Sequence, residues 1–345
     1  MTRRPLAIAL LLALSGMAPG PSLAQNLPNL TYATVDGTPL RLDLYRPTGA
    51  TAPTPVVLWI HGGGWCAGAR SPLAAYAAPL VQAGVTVAAV QYRLSSTTPD
   101  CANGNGATWP AQIHDLKGAV RWLRALAATY QLDPSRIGVW GQSAGAHLAL
   151  TLALSPGDAS LEGTVGGNPG LSSAVRAVVA YFPPTDLLQL GPDFALPPTS
   201  RPDLVNLVDG PGQPHARLIA FGGPGEGIGP IRNNIANPAA PWPTLVARTR
   251  SASPLTWVDA TDVPVYLLHG SADTVVPVAQ SRRLRDALVG AGVSLVYVEV
   301  PGLGHVPPSD PAQDQAARDW LVGRLTSVEG GRSQESSAPF SYRSS

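Results

Sequence analysis

The stretch R-I-G-V-W-G-Q-S-A-G-A-H-L-A-L occupies residues 136–150 and contains the pattern G-x-S-x-G at residues 141–145. Residues 136–140 are typical of a short buried strand, and residues 144–154, rich in Ala and Leu, favour a helix. A tight step from strand to helix pushes its serine, Ser143, out above the sheet and tolerates only small neighbours. The start of a helix also favours developing negative charge. We therefore interpret Ser143 as a nucleophile; the alternative is an ordinary turn rich in Gly and Ser.

Two later positions supply the groups that a serine nucleophile requires, a base that takes its proton and a carboxylate that orients the base. His305 lies in a Gly-rich loop after the predicted strand 293–300, and Asp273 follows the preceding predicted strand, 265–268. All three polar residues therefore leave strands at the same edge of a parallel sheet, in the chain order Ser, Asp, His. We predict a triad of Ser143, Asp273 and His305; a loop histidine and a turn aspartate are the alternatives.

Other residues compete for these roles. Asp262 is the rival acid, but it precedes its predicted strand, which places it at the opposite end of the sheet. His269 is the closest rival base, and we expect it to end a strand inside the fold. The remaining histidines are expected to be structural or to face solvent: His61, His114, His147 and His215.

A second Gly-rich run, H-G-G-G at residues 61–64, follows the predicted strand 56–60. Successive glycines let the backbone adopt conformations closed to other residues and approach a ligand closely. Peptide N–H groups held in this way stabilise the oxyanion of a tetrahedral intermediate by roughly 3 kcal/mol each. We expect the run and the N–H of Ala144 to form an oxyanion hole; the alternative is a flexible glycine loop. Trp65 and Gln142 are candidate pocket residues, with core packing as the alternative for Trp65.

Strands and helices alternate along most of the chain, which predicts an α/β fold with a mostly parallel sheet covered on both faces. A hairpin is expected first, at residues 31–45, with Asp36-Gly37 at its turn. The other predicted strands are 56–60, 85–91, 136–140, 175–181, 265–268 and 293–300, and the predicted helices are 72–83, 111–130, 144–154, 279–289 and 312–325.

The segment 182–258 interrupts this alternation and is rich in Pro and Gly. It is too long for an ordinary loop, so we interpret it as an insertion over the carboxyl edge of the sheet. It forms either a lid or substrate rim, or a tolerated surface excursion. The predicted catalytic domain spans residues 25–326, and residues 327–345, rich in Ser and Gly, are expected to be a disordered tail.

Residues 1–24 have the features of a secretory signal peptide. Two arginines near the start precede an apolar run, 6–14, that is too short to cross a bilayer. The sequence S-L-A at residues 22–24 predicts cleavage before Gln25, and an uncleaved anchor is the alternative. No cysteine lies at the cleavage site, so no lipid anchor is indicated. We expect an exported protein, secreted or periplasmic, with no stable membrane anchor and with its export route left open.

Export bears on the two cysteines of the chain. Cys66 directly follows the H-G-G-G-W run, and Cys101 lies in a loop at residues 95–108. In an oxidising compartment two thiols in loops can pair. We predict a Cys66–Cys101 disulfide; two unpaired thiols are the alternative.

Composition argues against several classes of partner. The 345 residues carry 23 Lys and Arg and 22 Asp and Glu, a net charge of +1, so neither nucleic acid nor an anionic membrane is indicated. No pair of His or Cys residues has metal-ligand spacing, so metal binding is not indicated. The oligomeric state stays open.

Together these residues resemble the α/β-hydrolase superfamily, and more narrowly the carboxylesterases with an H-G-G-G motif that are related to hormone-sensitive lipase. Four further stretches are similar to the branch that contains feruloyl and acetylxylan esterases: Y-R-L at 92–94, W-P-A-Q-I-H-D at 109–115, D-P-S-R-I-G-V-W-G at 133–141 and F-P-P-T-D-L at 182–187.

The resemblance implies the roles given above for the three polar residues. It assigns the oxyanion donors to the N–H groups of Gly63, Gly64 and Ala144, with the N–H of Trp65 as a further candidate. The chain departs from the family pattern in its two cysteine-containing loops and in the insertion. These departures lie near the expected entrance of the site and bear on the substrate rather than on the chemistry.

The function expected from the sequence is a secreted serine carboxylesterase that works through an acyl-enzyme and needs no cofactor. The enzymatic alternative is a serine peptidase of the prolyl-oligopeptidase type, which shares the order of the triad. The alternative from another class is a binding protein that keeps the hydrolase scaffold without catalysis. The ester itself is left open among acetylated or feruloylated polysaccharide, small lipid ester and synthetic polyester.

Overall fold

The computed structural model describes residues 24–71, 78–98, 101 and 106–327. The predicted leader and the predicted tail lie outside the described residues, apart from the one residue of each that joins the domain. The first part of the predicted helix 72–83 also lies outside them.

One sheet of eight strands runs through the described residues. Its strands are β1 (Ala24–Val35), β2 (Thr38–Pro47), β3 (Thr54–Ile60), β4 (Thr86–Val90), β5 (Leu132–Gln142), β6 (Val178–Tyr181), β7 (Val265–Gly270) and β8 (Leu295–Val300). The spatial order is β1-β2-β4-β3-β5-β6-β7-β8. Strands β1 and β2 form an antiparallel hairpin, β2 pairs antiparallel with β4, and all other neighbours are parallel. The predicted α/β fold is confirmed.

Helices cover the sheet and build the insertion. They are α1 (Ala78–Gln82), α2 (Ala111–Ala125), α3 (Ala144–Leu154), α4 (Ala159–Glu162), α5 (Val205–Asp209), α6 (Pro214–Leu218), α7 (Ile228–Asn233), α8 (Trp242–Ser251), α9 (Ala279–Gly290) and α10 (Pro311–Thr326). No helix among the described residues combines the length and the apolar composition needed to cross a bilayer.

The central strands carry unbroken apolar runs because both of their faces are covered. All of β3 is buried, and its side chains alternate between the two sides of the sheet. Val56, Leu58 and Ile60 pack in the layer that contains α2 and α3, whereas Val57 and Trp59 pack in the layer that contains α1 and α10. The central sheet is therefore packed on both faces, and this packing fixes the position of its carboxyl edge.

The helix predicted at 111–130 is shorter than expected, because α2 ends at Ala125. Beyond it, Gln131 adopts a φ of +51° and the N–H of Leu132 donates to the carbonyl oxygen of Ala127. This turn redirects the chain into β5, where Leu132 is buried. Burial of the strand therefore overrides the helical spacing of the preceding residues.

The insertion 182–258 is folded, with α5 to α8 and short 3₁₀ helices at Pro192–Ala195, Pro202–Leu204 and Pro254–Trp257. Gln280 of α9 joins it to the sheet, because its Oε1 accepts hydrogen bonds from the N–H groups of Thr185 and Asp186. Apolar side chains of α6, α7 and α8 belong to the same core cluster as the layer of α2 and α3. The insertion is therefore part of the packed domain.

Candidate active site

Ser143 lies at the step between β5 and α3 with a φ of +52°. Its neighbours must be small because the backbone comes close on both sides. A Cβ on Gly141 would lie 2.2 Å from the carbonyl oxygen of Gly145, and a Cβ on Gly145 would lie 2.2 Å from that of Ile60. The glycines of the G-x-S-x-G pattern therefore permit the turn that lifts Ser143 above the sheet.

The structure brings the three residues of the predicted triad together in one hydrogen-bonded line. Ser143 Oγ lies 2.9 Å from His305 Nε2, and His305 Nδ1 lies 2.7 Å from Asp273 Oδ2. Ser143 and His305 are 162 positions apart in the sequence. His305 and Asp273 lie in the loops after β8 and β7, so all three residues are at the carboxyl edge of the sheet.

Asp273 is fully buried, and both oxygens of its carboxylate accept hydrogen bonds. Its Oδ1 accepts the N–H groups of Val275 and Val276, and its Oδ2 accepts hydrogen bonds from His305 and His269. Burial alone would raise the pKa of the carboxyl, but the hydrogen bonds from His269 and His305 outweigh it. They hold the pKa of Asp273 well below its usual range, so it is a carboxylate.

Asp262, the rival acid, is at a different place. It precedes β7, and its Oδ2 accepts the N–H of Asp259. Burial, aided by the charge of Asp259, raises the pKa of Asp262 to about 6. No hydrogen bond joins it to His305 among the described residues.

Sequence reasoning missed two residues that contact Asp273 or His305. His269 was expected to end a strand inside the fold, which it does, but it also touches the carboxylate of Asp273. In the sequence H-G-S-A-D, residues 269–273, the histidine precedes the aspartate by four positions, and this spacing could have indicated the contact. Phe182 has a φ of +44°, and its ring centroid lies 4.6 Å from that of His305. The two rings are in contact with their planes tilted by 59°, and no local pattern indicated this contact.

The H-G-G-G loop, residues 61–64, lies directly against Ser143. A Cβ on Gly62 would lie 3.4 Å from Ser143 Cβ. The carbonyl oxygen of Gly63 accepts the N–H groups of Cys66 and Ala67, so the loop turns back on itself. Within the described residues, the N–H groups of Gly63 and Gly64 have no acceptor, and that of Ala144 begins α3. These donors are free to bind a negatively charged oxygen.

A cavity of about 160 Å³ opens beside Ser143. Its wall combines the H-G-G-G loop, the start of α3, the loop after β7 and the insertion, through Gly64, Trp65, Ser143, Ala144, Pro184, Leu190, Val208, Gln213, Pro214, His215, Val275 and Val276. The insertion therefore contributes half of the wall.

The two candidate pocket residues, Trp65 and Gln142, differ in their position relative to this cavity. Trp65 is in the wall, and it is also packed, since its Nε1–H donates to Nδ1 of the buried His147 at 3.0 Å. Gln142 is not part of the wall, and its Nε2 is buried with no hydrogen-bond partner. His215, expected to be structural or to face solvent, is buried at the cavity, and burial lowers its pKa to about 4.

Cys66 and Cys101 form a disulfide with a Cα–Cα distance of 5.2 Å. Cys66 lies just after the H-G-G-G loop, and its N–H donates to the carbonyl oxygen of Gly63. The bridge therefore ties the H-G-G-G loop to the loop after β4. In the described part of the chain, no group of three or more His, Cys, Asp and Glu side chains is placed to hold a metal ion.

Replacing both cysteines with serine is expected to lower the free energy of unfolding by about 3–4 kcal/mol on the chain-entropy estimate. The bridge spans a sequence separation of 35, so its loss frees a long loop in the unfolded chain. Denaturant titration of the variant and the oxidised wild type measures the difference. The wild type in reductant should match the variant, and equal midpoints for all three samples would contradict the prediction.

Comparison with known proteins places this geometry in a family. The BD-FAE family model matches residues 42–213 and 240–288, more than half of the chain. Esterase LipQ of Mycobacterium tuberculosis is 32% identical over 254 residues, which are 73% of this chain and 50% of LipQ. The probable carboxylic ester hydrolase LipM of the same organism is 30% identical over 275 residues, 76% of this chain and 52% of LipM. The chain thus spans about half the length of these curated relatives.

Two solved structures are similar over most of this chain. A truncated carbohydrate esterase from gut microbiota has 28% sequence identity and a TM-score of 0.69, and the match covers 88% of this chain and 97% of that one. The bifunctional GH43-CE protein of Bacteroides eggerthii has 30% identity and a TM-score of 0.68, covering 87% of this chain and 35% of that one. The chain belongs to the BD-FAE family and has the α/β-hydrolase fold.

Proposed function

We propose that the protein is a serine carboxylesterase that works through an acyl-enzyme. The observation that carries the proposal is the hydrogen-bonded line from Ser143 through His305 to Asp273, next to unoccupied N–H groups of the H-G-G-G loop. The relatives named as esterases and the structural neighbours named as carbohydrate esterases support the same class of reaction.

The hydrogen bonds define the starting state of the first step. The carboxylate of Asp273 accepts a hydrogen bond, so the neutral His305 carries its hydrogen on Nδ1. Its Nε2 is then a bare acceptor for the hydroxyl of Ser143. As Ser143 Oγ attacks the ester carbonyl carbon, the proton passes to Nε2, and Asp273 stabilises the imidazolium that forms.

The carbonyl oxygen becomes an oxyanion in this step. We assign its donors to the N–H groups of Gly63, Gly64 and Ala144, which need no reorganisation when the charge develops. His305 then protonates the leaving alcohol, which departs and leaves an acyl group on Ser143. Water, activated by the same imidazole, attacks the acyl-enzyme and releases the carboxylic acid.

The cavity beside Ser143 fits the acyl group rather than the alcohol. Its wall contains Ser143, Ala144 and Gly64, whereas His305, which must reach the leaving oxygen, is not part of it. The alcohol therefore leaves on the opposite side, towards His305 and the half-exposed Val306. Pockets for drug-sized ligands measure about 300–1,000 Å³, so a cavity of about 160 Å³ favours a short acyl chain. We propose short-chain esters of larger alcohols, including sugars, as substrates.

We also propose that the protein acts outside the cytoplasm. Disulfides persist in oxidising compartments, and the Cys66–Cys101 bridge is consistent with one. The signal-peptide features of residues 1–24 point the same way.

A graded substrate panel tests the acyl assignment. We expect kcat/KM to be highest for p-nitrophenyl acetate or butyrate and to fall by about tenfold or more for the octanoate, since overfilling a packed wall costs about 1–3 kcal/mol. Methyl ferulate should be poor for the same reason, whereas acetylated xylan should be deacetylated. Anilides with the same acyl groups should be hydrolysed far more slowly than the esters.

Two matched variants test whether the cavity wall limits the length of the acyl chain. Leu190→Ala removes part of the wall and should raise octanoate turnover relative to butyrate. Leu207→Ala alters an exposed neighbour outside the wall and should leave that ratio unchanged. Preference of the wild type for octanoate would contradict the acyl assignment. Anilide turnover as fast as ester turnover would favour the peptidase, and absence of both turnover and fluorophosphonate labelling would favour a binding protein.

A further inference from the structure

His269 is a second imidazole in contact with Asp273, and the reaction described above gives it no role. It lies on β7 and is fully buried. Its Nε2 lies 3.2 Å from Asp273 Oδ2 and 2.9 Å from the carbonyl oxygen of Val276. Its Nδ1 lies 2.7 Å from the hydroxyl oxygen of Ser281 on α9.

These partners select one arrangement of protons. Both oxygens near Nε2 are acceptors only, so Nε2 carries a hydrogen that it shares between them. The hydroxyl of Ser281 can donate to Nδ1, so a neutral imidazole satisfies every contact. Glu299 is opposite His269 on β8, but its charge is paired with Arg282 of α9. From the side of β6, His269 meets the ring of Phe182.

We propose that His269 is a positioning residue that holds the carboxylate of Asp273 for His305. The N–H groups of Val275 and Val276 hold Oδ1, and the two imidazoles hold Oδ2. With donors on both oxygens, the carboxylate cannot rotate away from His305. The bond from His269 to the carbonyl oxygen of Val276 also braces the turn that carries these donors.

This arrangement has a consequence for the pH dependence of turnover. His269 takes a share of the hydrogen bonding of Asp273, so its removal leaves more of the negative charge directed at His305. The carboxylate then favours the protonated imidazole of His305 more strongly. Since protonated His305 cannot accept the proton of Ser143, the acid limb of the kcat/KM profile moves to higher pH.

The inference rests on the proposed esterase function and is tested with His269→Met and His269→Gln. Methionine fills a similar volume without a donor, whereas the Nε2 of glutamine can replace the imidazole N–H towards Asp273. We expect His269→Met to lower kcat for p-nitrophenyl acetate by about 10- to 100-fold, the size expected for a lost hydrogen bond to a charged group. KM should change by less than about twofold, because His269 does not touch the cavity.

The conservative variant separates positioning from packing. His269→Gln should recover most of the wild-type kcat and return the acid limb towards its wild-type position. Ser281→Ala, which removes the donor to Nδ1, should cause a smaller loss in the same direction. Thermal unfolding of each variant shows whether the fold is retained, and Ser281→Ala carries the test if His269→Met does not fold.

Two outcomes would overturn the proposal. One is an unchanged kcat and acid limb in folded His269→Met; the other is an equal loss in the methionine and glutamine variants with an unshifted acid limb. The rate of fluorophosphonate labelling of Ser143 gives a readout that does not depend on the ester chosen. A wild type that is labelled but hydrolyses no ester would refute the esterase function, while the labelling rates of the variants would still test His269.

Discussion

Replacing Ser143 with alanine is expected to lower kcat for p-nitrophenyl acetate by about 10⁵- to 10⁶-fold. The variant has no nucleophile 2.9 Å from His305 Nε2, so no acyl-enzyme can form. The N–H groups of the H-G-G-G loop, the proposed oxyanion donors, remain in the variant, so we do not expect activity to fall fully to the uncatalysed rate. Steady-state turnover with the purified protein measures the loss, and fluorophosphonate labelling should disappear with it.

Ser135→Ala is the matched control, since Ser135 is an exposed serine before the buried part of β5. It should keep wild-type turnover and labelling. Both variants should unfold at nearly the wild-type temperature, because alanine fits the small site at position 143. Substantial ester turnover by Ser143→Ala, free of contaminating enzyme, would refute the assignment of the nucleophile.

Asp273→Asn is expected to lower kcat by about 10⁴-fold while the fold is kept. Asparagine can still accept the N–H groups of Val275 and Val276 through its carbonyl oxygen. Its amide nitrogen then faces His305 Nδ1 as a donor, which favours the tautomer with hydrogen on Nε2. That tautomer cannot accept the proton of Ser143. The negative charge that stabilises the imidazolium is lost as well.

Asp262→Asn is the matched control, because Asp262 is the rival acid and also has a perturbed carboxyl group. Its turnover of p-nitrophenyl acetate should stay within about twofold of the wild type, as expected for a group that is not hydrogen-bonded to His305 or Ser143. Full activity of Asp273→Asn together with a large loss in Asp262→Asn would reverse the assignment. Comparison of kcat in both variants at one pH decides between the two acids.

Local patterns in the sequence were sufficient to predict the fold class and the order in which the candidate site residues occur along the chain. The alternation of strands and helices predicted the parallel sheet, and the glycines at 141 and 145 predicted the turn that carries Ser143. Such features depend on backbone geometry between neighbouring elements, which residue type encodes directly. The end of α2 was predicted too late, because the burial of Leu132 in β5 is not a local property.

The sequence by itself determined that a serine, an aspartate and a histidine leave parallel strands at one edge, and that a glycine loop lies near them. Only the tertiary structure decided that His269 also contacts the carboxylate of Asp273, that the ring of Phe182 packs against His305, and that the insertion lines a small cavity. It also excluded Gln142 from that wall. The physical reason is that these contacts join segments far apart in the chain, so they arise from the packing of many side chains rather than from any local motif.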